Sequence, residues 1–271
     1  MCRILGCVAA EPVSLRHELV EAENPLIRQS EDHDSGWGIA AYKRGEGEEP
    51  ICMRFPEAAF QDDGFPEATS LRGRIFNAHV RRATMGGLVM ENTHPFCLGP
   101  YSFGHNGTVL HFPRLLEYGV QPPKGNTDTE HFFNYLMSTL DRRDIVGSLR
   151  AAITAVIERS PFSGMNFIFS DGEKLYAYKL GIFSLYWLSR PGQLLVASEE
   201  ITAGEEWHCV AQDVLLTLDP RNAEEPRAQR LVGDELLERA EIVKFTEGHE
   251  LRGEERGRFA AERAARLAAA E

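Results

Sequence analysis

The sequence predicts an α+β fold in which packed antiparallel sheets are covered by helices. Short apolar segments bounded by glycine, proline or charged residues occupy the first 104 residues and again residues 165–218. Between them, apolar residues recur at three- and four-residue spacing, which is typical of helices. The order is therefore strands, two helices, strands, and it differs from the steady strand–helix alternation of a doubly wound parallel sheet.

Five strands are predicted before the helices, and each is a short apolar run. A charged, glycine-containing segment at residues 43–50 predicts a hairpin turn between the second and third strands. The fifth strand leads directly into the sequence His105-Asn106-Gly107. The predicted strands span residues 4–10, 36–42, 51–55, 74–80 and 101–104.

Two amphipathic helices follow, and five further strands come after them. The first helix starts near residue 129, where Asp128 suits an N-cap, and the second spans residues 145–159. Pro161 and Gly164 end the second helix. The strands after it are predicted at residues 165–170, 174–180, 184–189, 193–198 and 214–218.

The C-terminal part differs in composition from the rest of the chain. Residues 222–230 are polar, and residues 247–271 are rich in alanine, arginine and glutamate, with opposite charges four positions apart such as Glu262 and Arg266. This pattern predicts a surface helix, with a partner-binding segment as the alternative. We expect one domain over residues 2–245 and a charged, helical tail over residues 246–271.

Composition excludes several classes of function. With 29 basic and 41 acidic residues the formal net charge is −12, which argues against nucleic acid as the main partner. No apolar run reaches the length of a membrane span, and the first residues lack a signal peptide. Five cysteines, an odd number without a CxxC pair, predict free thiols in a reducing, cytoplasmic setting.

Cys2 is the residue with the clearest chemical potential. A small side chain after Met1 favours removal of Met1 by methionine aminopeptidase, which would leave Cys2 at the N-terminus. Its α-amine, with a pKa near 8, is partly neutral at physiological pH and could accept the thiol proton. Such a base beside a thiol activates it as a nucleophile. Cysteine at position 2 also occurs by chance, so its weight depends on other residues.

Three further features suit acyl transfer, although each has an ordinary structural explanation. Asn106-Gly107 offers an amide and a backbone N–H as oxyanion donors, but Asn-Gly is also a common hairpin turn. Arg81 offers a guanidinium for a substrate carboxylate, or it forms a surface ion pair. Asp128 offers a carboxylate for a substrate ammonium, or it only caps the helix.

Taken together, the sequence resembles the class II glutamine amidotransferase domains, which are N-terminal-nucleophile hydrolases. The resemblance covers roughly residues 2–218, and it is closest to stand-alone members without a fused synthase domain. Six ordered motifs carry it: Met1-Cys2-Arg3-Ile4-Leu5-Gly6, Ser35-Gly36-Trp37-Gly38-Ile39-Ala40, Arg81-Arg82-Ala83-Thr84, Asn92-Thr93-His94-Pro95-Phe96, His105-Asn106-Gly107 and Thr127-Asp128-Thr129-Glu130.

The resemblance implies a four-layer αββα sandwich of two antiparallel sheets, and it implies a role for each site residue. Cys2 would be the nucleophile, and its own amine would be the base. Asn106 and Gly107 would form the oxyanion hole. Arg81 would bind the α-carboxylate of glutamine, and Asp128 would bind its α-ammonium. The substrate pocket would include Thr84, His94 and Trp37, with Trp37 packing beneath the nucleophile strand.

The resemblance favours a glutaminase reaction that releases ammonia through a γ-glutamyl thioester on Cys2. Two alternatives remain at this point: a γ-glutamyl hydrolase acting on a γ-glutamyl peptide or modified glutamine, and a non-catalytic binding protein on the same fold. The expected partners are a small-molecule substrate and a separate acceptor or synthase protein, without nucleic acid or membrane. No cofactor or metal is expected, because Cys7 should point away from Cys2 and leave no compact ligand set.

Overall fold

Strands form two antiparallel sheets in the computed structural model, which describes residues 2–113, 115 and 122–244. One sheet has seven strands, in the spatial order β11 (His208–Cys209), β9 (Tyr186–Arg190), β10 (Gln193–Ala197), β1 (Arg3–Val13), β4 (Gly73–Val80), β2 (Trp37–Tyr42) and β3 (Ile51–Phe55). The other has six, in the order β13 (Asn222–Arg230), β12 (Val214–Asp219), β8 (Leu175–Lys179), β7 (Phe162–Ser170), β6 (Tyr101–Val109) and β5 (Phe96–Leu98).

Helices cover the outer face of each sheet. The two long helices, α3 (Asp128–Ser138) and α4 (Ile145–Arg159), share an apolar cluster with β6, β7 and β8. A π-helix at His17–Glu21 and the short helices α1 (Leu26–Gln29) and α2 (Gly64–Ala68) contribute to the cluster on the seven-stranded sheet. The predicted four-layer αββα sandwich is therefore confirmed. The remaining helical segments are Ala59–Gln61, Met90–Asn92 and α5 (Asp234–Leu237).

A third apolar cluster fills the space between the sheets. Ile4 and Val8 of β1 pack there, while Leu5 and Cys7 belong to the cluster on the outer face, because successive side chains of a strand point to opposite faces. A Cβ atom on Gly6 would lie 3.0 Å from Leu175 Cδ1, so the sheets approach closely at this glycine. Ile4, Gly6 and Val8 thus face the inter-sheet space.

Most predicted elements are confirmed, but the predicted end of the fifth strand is wrong. The strand does not stop at Gly104, because β6 continues through Asn106 and Gly107 to Val109. In this stretch β6 pairs with β7, with Asn106 opposite Asn166 and Gly107 opposite Met165. Asn106-Gly107 is accordingly part of a strand, and the hairpin-turn explanation for this dipeptide is excluded.

The polar segment at residues 222–230 forms a strand that the sequence did not predict. This strand, β13, pairs along β12 at the free edge of the six-stranded sheet. Its buried positions are only Ala223 and Pro226, so its sequence lacks an apolar alternation. The predicted helical tail lies outside the described residues. Within the described residues, no helix is long and apolar enough to cross a membrane.

Candidate active site

Cys2 lies immediately before β1, at one end of the inter-sheet space. Its side chain is buried, and its Sγ donates a hydrogen bond to the Arg82 carbonyl oxygen at 3.6 Å. The alternation along β1 places Cys2 on the face opposite Cys7, as predicted. Burial raises the pKa of the Cys2 thiol, and the nearby Arg81 guanidinium opposes that rise. The thiol therefore needs a base if it is to act as a nucleophile near neutral pH.

Arg81 directly follows β4 and is held by its backbone and by its side chain. Its N–H donates to the Gly36 carbonyl at 2.7 Å, and its guanidinium donates to the carbonyls of Met85 at 2.6 Å and Gly87 at 2.9 Å. Burial lowers the pKa of Arg81 to about 10, which still leaves the side chain positively charged at neutral pH. The loop at residues 85–87 thus wraps around a buried cation.

Asp128 is the first residue of α3. The prediction that Asp128 is the N-cap of this helix is wrong. Thr127 is the N-cap, since its Oγ1 accepts from the Glu130 N–H at 3.3 Å. The Asp128 carboxylate instead accepts from the Val109 N–H at 2.8 Å, at the end of β6. Burial raises the pKa of Asp128 to about 6. A buried carboxylate is thereby placed beside the strand that carries Asn106.

Asn106 and Gly107 are fixed on β6 by close packing. The Asn106 Oδ1 is buried and has no hydrogen-bond partner among the described residues, although its side chain lines a cavity of about 520 Å³. A Cβ atom at Gly107 would lie 1.8 Å from the Gly164 carbonyl oxygen, so only glycine fits here. The amide of Asn106 is therefore the polar side chain of this strand that remains available to a ligand.

The remaining predicted residues fall into two groups. Thr84 contacts Thr108 through their Oγ1 atoms at 3.1 Å, and His94 is buried with its Nδ1 2.9 Å from His79 Nε2. Trp37 packs against Phe65 in the outer cluster, where its Nε1 donates to Asp62 Oδ2 at 2.7 Å. Its placement as a substrate-pocket residue is therefore corrected: Trp37 lies on the face opposite Cys2 and packs beneath the strands.

His79 is a buried residue of this region that the sequence analysis missed. It lies on β4 two residues before Arg81, and its Nε2 is 3.1 Å from the His105 carbonyl oxygen of β6. Burial lowers the pKa of His79 to about 3, so the ring is neutral. His94 Nδ1 contacts the same His79 nitrogen. His79 therefore links β4 of one sheet to β6 of the other, next to Asn106. No signal in the local sequence distinguishes His79, because its burial depends on how the two sheets pack.

The cavity beside Asn106 has walls of mixed charge. Arg3 forms an ion pair of 2.9 Å with Glu199 at its edge. His33, another residue missed by the sequence analysis, has a pKa lowered by burial to about 4 and a ring nitrogen 2.6 Å from the Gln29 carbonyl oxygen. Other lining residues include Asp32, Arg82, Phe183 and Ser198. The cavity thus offers both hydrogen-bonding groups and an aromatic surface next to the Asn106 amide.

Two relatives show what the chain is similar to in sequence. A protein of Methanocaldococcus jannaschii is 35% identical over 189 residues, or 66% of this chain and 51% of that protein. Escherichia coli YafJ is 28% identical over 73% of this chain and 80% of its own length. The chain thus spans about half the length of the first relative and most of the second.

A solved structure and a family model complete the comparison. The Bacillus subtilis glutamine phosphoribosylpyrophosphate amidotransferase superposes with a TM-score of 0.66 at 16% identity, covering 86% of this chain and 50% of that one. This likeness confirms the predicted N-terminal-nucleophile hydrolase fold. The family model described as glutamine amidotransferases class-II matches residues 1–191, which is more than half of the chain. The chain therefore belongs to the class II glutamine amidotransferases.

Proposed function

We propose that this chain hydrolyses the side-chain amide of glutamine, with Cys2 as the nucleophile once Met1 has been removed. The observation that carries the proposal is the arrangement at one end of the inter-sheet space. The buried Cys2 thiol lies there within electrostatic reach of the charges of Arg81 and Asp128. The Asn106 amide lines the adjoining cavity together with Arg82, whose carbonyl oxygen accepts from Cys2.

In the proposed reaction, the α-amine of Cys2 accepts the thiol proton and the sulfur attacks the amide carbon of glutamine. The negative charge that develops on the amide oxygen is stabilised by the Asn106 Nδ2 and by the Gly107 N–H. The carbon–nitrogen bond then breaks, and ammonia leaves with the proton held by the α-amine. Water hydrolyses the resulting γ-glutamyl thioester, which releases glutamate and restores the Cys2 thiol.

Substrate recognition is assigned to the two buried charges. At neutral pH Arg81 is protonated, and Asp128, whose pKa is about 6, is mostly ionised. Buried charges are costly unless a ligand of opposite charge accompanies them. The α-carboxylate and α-ammonium of glutamine would supply these opposite charges, with Thr84 and His94 shaping the pocket. The released ammonia would pass to an acceptor substrate, which in this proposal belongs to a separate protein.

Replacement of Cys2 tests the nucleophile directly. We expect Cys2→Ala and Cys2→Ser to abolish glutamate formation from glutamine, while Cys7→Ala, which alters the opposite face of β1, keeps most of the activity. A diazoketone analogue of glutamine should label Cys2 alone, and circular dichroism should show all three variants folded. Turnover by folded Cys2→Ala, or labelling of another cysteine, would show that the nucleophile is elsewhere.

Two further measurements complete this test. Intact mass should show that Met1 is absent from active protein, and an active preparation that retains Met1 on every molecule would contradict the mechanism. A substrate panel of glutamine, γ-glutamyl peptides and γ-glutamyl amides should give the highest kcat/KM with glutamine. A clear preference for a γ-glutamyl peptide would change the assigned leaving group while keeping Cys2 as the nucleophile.

A further inference from the structure

Two cysteines lie next to each other where the edges of the two sheets meet. Cys52 is in β3, the terminal strand of the seven-stranded sheet, and Cys97 is in β5, the terminal strand of the six-stranded sheet. Their Sγ atoms are 2.6 Å apart, and both cysteines are free thiols. No role in the proposed reaction uses either residue, so the contact needs an explanation of its own.

Strand alternation directs both side chains toward the same space. Met53 packs with the outer cluster of the seven-stranded sheet, which places its neighbours Cys52 and Arg54 on the inward face of β3. Phe96 packs with the cluster beneath the long helices, which places Cys97 on the inward face of β5. The approach of the thiols is thus a consequence of the registers of both sheets.

The two thiols lie beside Pro95, in a segment that leads to the candidate site. Each sulfur lies within 4 Å of the Pro95 carbonyl oxygen, at 3.9 Å for Cys52 and 3.8 Å for Cys97. Arg54 donates to the Thr93 carbonyl at 2.7 Å, and the intervening His94 contacts His79. A covalent link between the sulfurs would therefore close over the segment that positions His94.

The environment of the pair favours reaction with a disulfide. A hydrogen bond from the Cys97 thiol lowers the pKa of Cys52, and the Arg54 guanidinium lowers it further. Both cysteines are partly exposed, and Cys97 lines a surface cavity of about 270 Å³ together with Arg54 and Lys124. A thiolate with access to solvent is the form that attacks disulfides.

We infer that Cys52 and Cys97 are a thiol pair that a low-molecular-weight disulfide oxidises to an intramolecular disulfide between the two sheets. The Cys52 thiolate attacks one sulfur of the small disulfide, which breaks its S–S bond and releases one small thiol. Cys97, the donor of the pair, then loses its thiol proton to solvent, and its sulfur attacks Cys52 Sγ in the mixed disulfide and releases the second small thiol. The protein loses two electrons and two protons, and the small disulfide gains both.

The link should also change stability. The sulfurs need to move by only about half an ångström to reach bonding distance, so the native fold can accept the bond. Since the cysteines are 45 positions apart in sequence, the link closes a long loop in the unfolded chain. We expect the oxidised protein to melt about 5–10 °C higher than the reduced protein.

The experiment treats the purified full chain with glutathione disulfide, then alkylates the remaining thiols and maps the peptides. We expect a mass loss of about 2 Da before alkylation, a peptide pair linked through Cys52 and Cys97, and a higher Tm that dithiothreitol reverses. Cys52→Ser and Cys97→Ser should lose the mass change and the rise in Tm. Cys209→Ser, which removes an exposed cysteine outside the pair, should retain both.

Two outcomes would overturn the inference. One is that Cys52 and Cys97 are both alkylated after treatment with glutathione disulfide, in protein that circular dichroism shows to be folded. The other is that oxidation yields only glutathione adducts or links that involve a different cysteine. Because wild-type mapping needs no variant, a folding defect in a serine variant cannot hide the result. None of these readouts uses turnover, so they are independent of the proposed function.

Discussion

Two buried charges, those of Arg81 and Asp128, distinguish the candidate site at the level of single residues. The guanidinium of Arg81 donates from Nη1 to the carbonyl of Gly87 and from Nη2 to the carbonyl of Met85, and these carbonyls carry no net charge. The carboxylate of Asp128 accepts a backbone N–H from Val109 in a similar way. Both arrangements hold a charge in place while leaving it available for a zwitterionic ligand.

Loss of the Asn106 amide should affect turnover more than binding. We expect Asn106→Ala to lower kcat for glutamine by about two to three powers of ten with little change in KM, because the donor acts mainly on the oxyanion of the transition state. Asn222→Ala, at an exposed position of β13, is the matched control and should be unchanged. Steady-state measurement of kcat and KM for glutamine with both variants tests this prediction. A higher KM at unchanged kcat would instead make Asn106 a substrate-binding residue.

The raised pKa of Asp128 predicts a stability that depends on pH. Its folded-state pKa is about 6, against 3.8 ordinarily, so the folded protein holds this proton more tightly than the unfolded chain does. The resulting stability is fully present below about pH 4 and is lost as pH rises through about 6. The total change is about 3 kcal/mol. Urea unfolding at several pH values should show this loss in the wild type and not in Asp128→Asn, and equal pH profiles would contradict it.

The site residues that could be predicted were those whose chemistry is visible in a short motif. Cys2 and Asn106 stand out because of their neighbours in the chain, whatever the rest of the molecule does. His79 and His33 are ordinary histidines in sequence, and their burial depends on strands or loops far away in the chain. Their place beside the site is a property of tertiary packing, and only the structure reveals it.

Among the secondary-structure elements, β6 and α3 contribute most to the site. β6 carries Asn106 and Gly107 in its second half, and the backbone at its end binds the side chain of Asp128. Turn propensity at Asn-Gly suggested that the strand ends earlier, yet pairing with β7 overrides that preference over this stretch. The long helix α4 was predicted with its observed bounds, because its apolar period is local information.

The start of α3 is held by hydrogen bonds at Thr127 and Glu130. Thr127 accepts from the Glu130 N–H, and the Glu130 carboxylate accepts from the N–H groups of Lys124 and Gly125 at 2.7 Å each. We expect Thr127→Ala to lower the free energy of unfolding by about 1 kcal/mol, while Thr127→Ser retains the cap. Chemical denaturation of both variants checks this expectation. Equal losses in the two would show that the methyl group matters more than the hydroxyl.

At the scale of the whole molecule, three apolar clusters within the described part of the chain hold the four layers together. The inter-sheet cluster holds β1 and β4 against β7, β8 and β12 of the six-stranded sheet, the sheet that also contains β6 and Asn106. The order of strands, helices and strands along the chain predicted packed antiparallel sheets covered by helices, while the four-layer arrangement was implied by the resemblance to the family. The edge strand β13 was not predicted from the sequence, because a sheet edge exposed to water accepts polar residues along most of its length.

Removal of one side chain from the inter-sheet cluster should destabilise the entire fold. Ile168 is fully buried between the sheets, so Ile168→Ala should lower the free energy of unfolding by about 2–5 kcal/mol. Ile51→Ala is the matched control, because the same side chain is 38% exposed on the edge strand β3. Urea denaturation should give a much smaller loss for this variant. Similar losses in both would show that packing between the sheets is not the dominant contribution.

The central place of β1 has a consequence for motion. Residues near an end of a chain ordinarily fray, but β1 is hydrogen bonded to β10 on one side and β4 on the other, with Ile4 opposite His79 and Leu5 opposite Ala197. We expect the amides of Leu5 to Val8 to exchange with deuterium as slowly as the most protected amides of the molecule, since they open only on global unfolding. Fast exchange there would indicate local opening. Because Cys2 directly precedes this strand, we expect its sulfur to keep its position relative to the six-stranded sheet during thermal fluctuations.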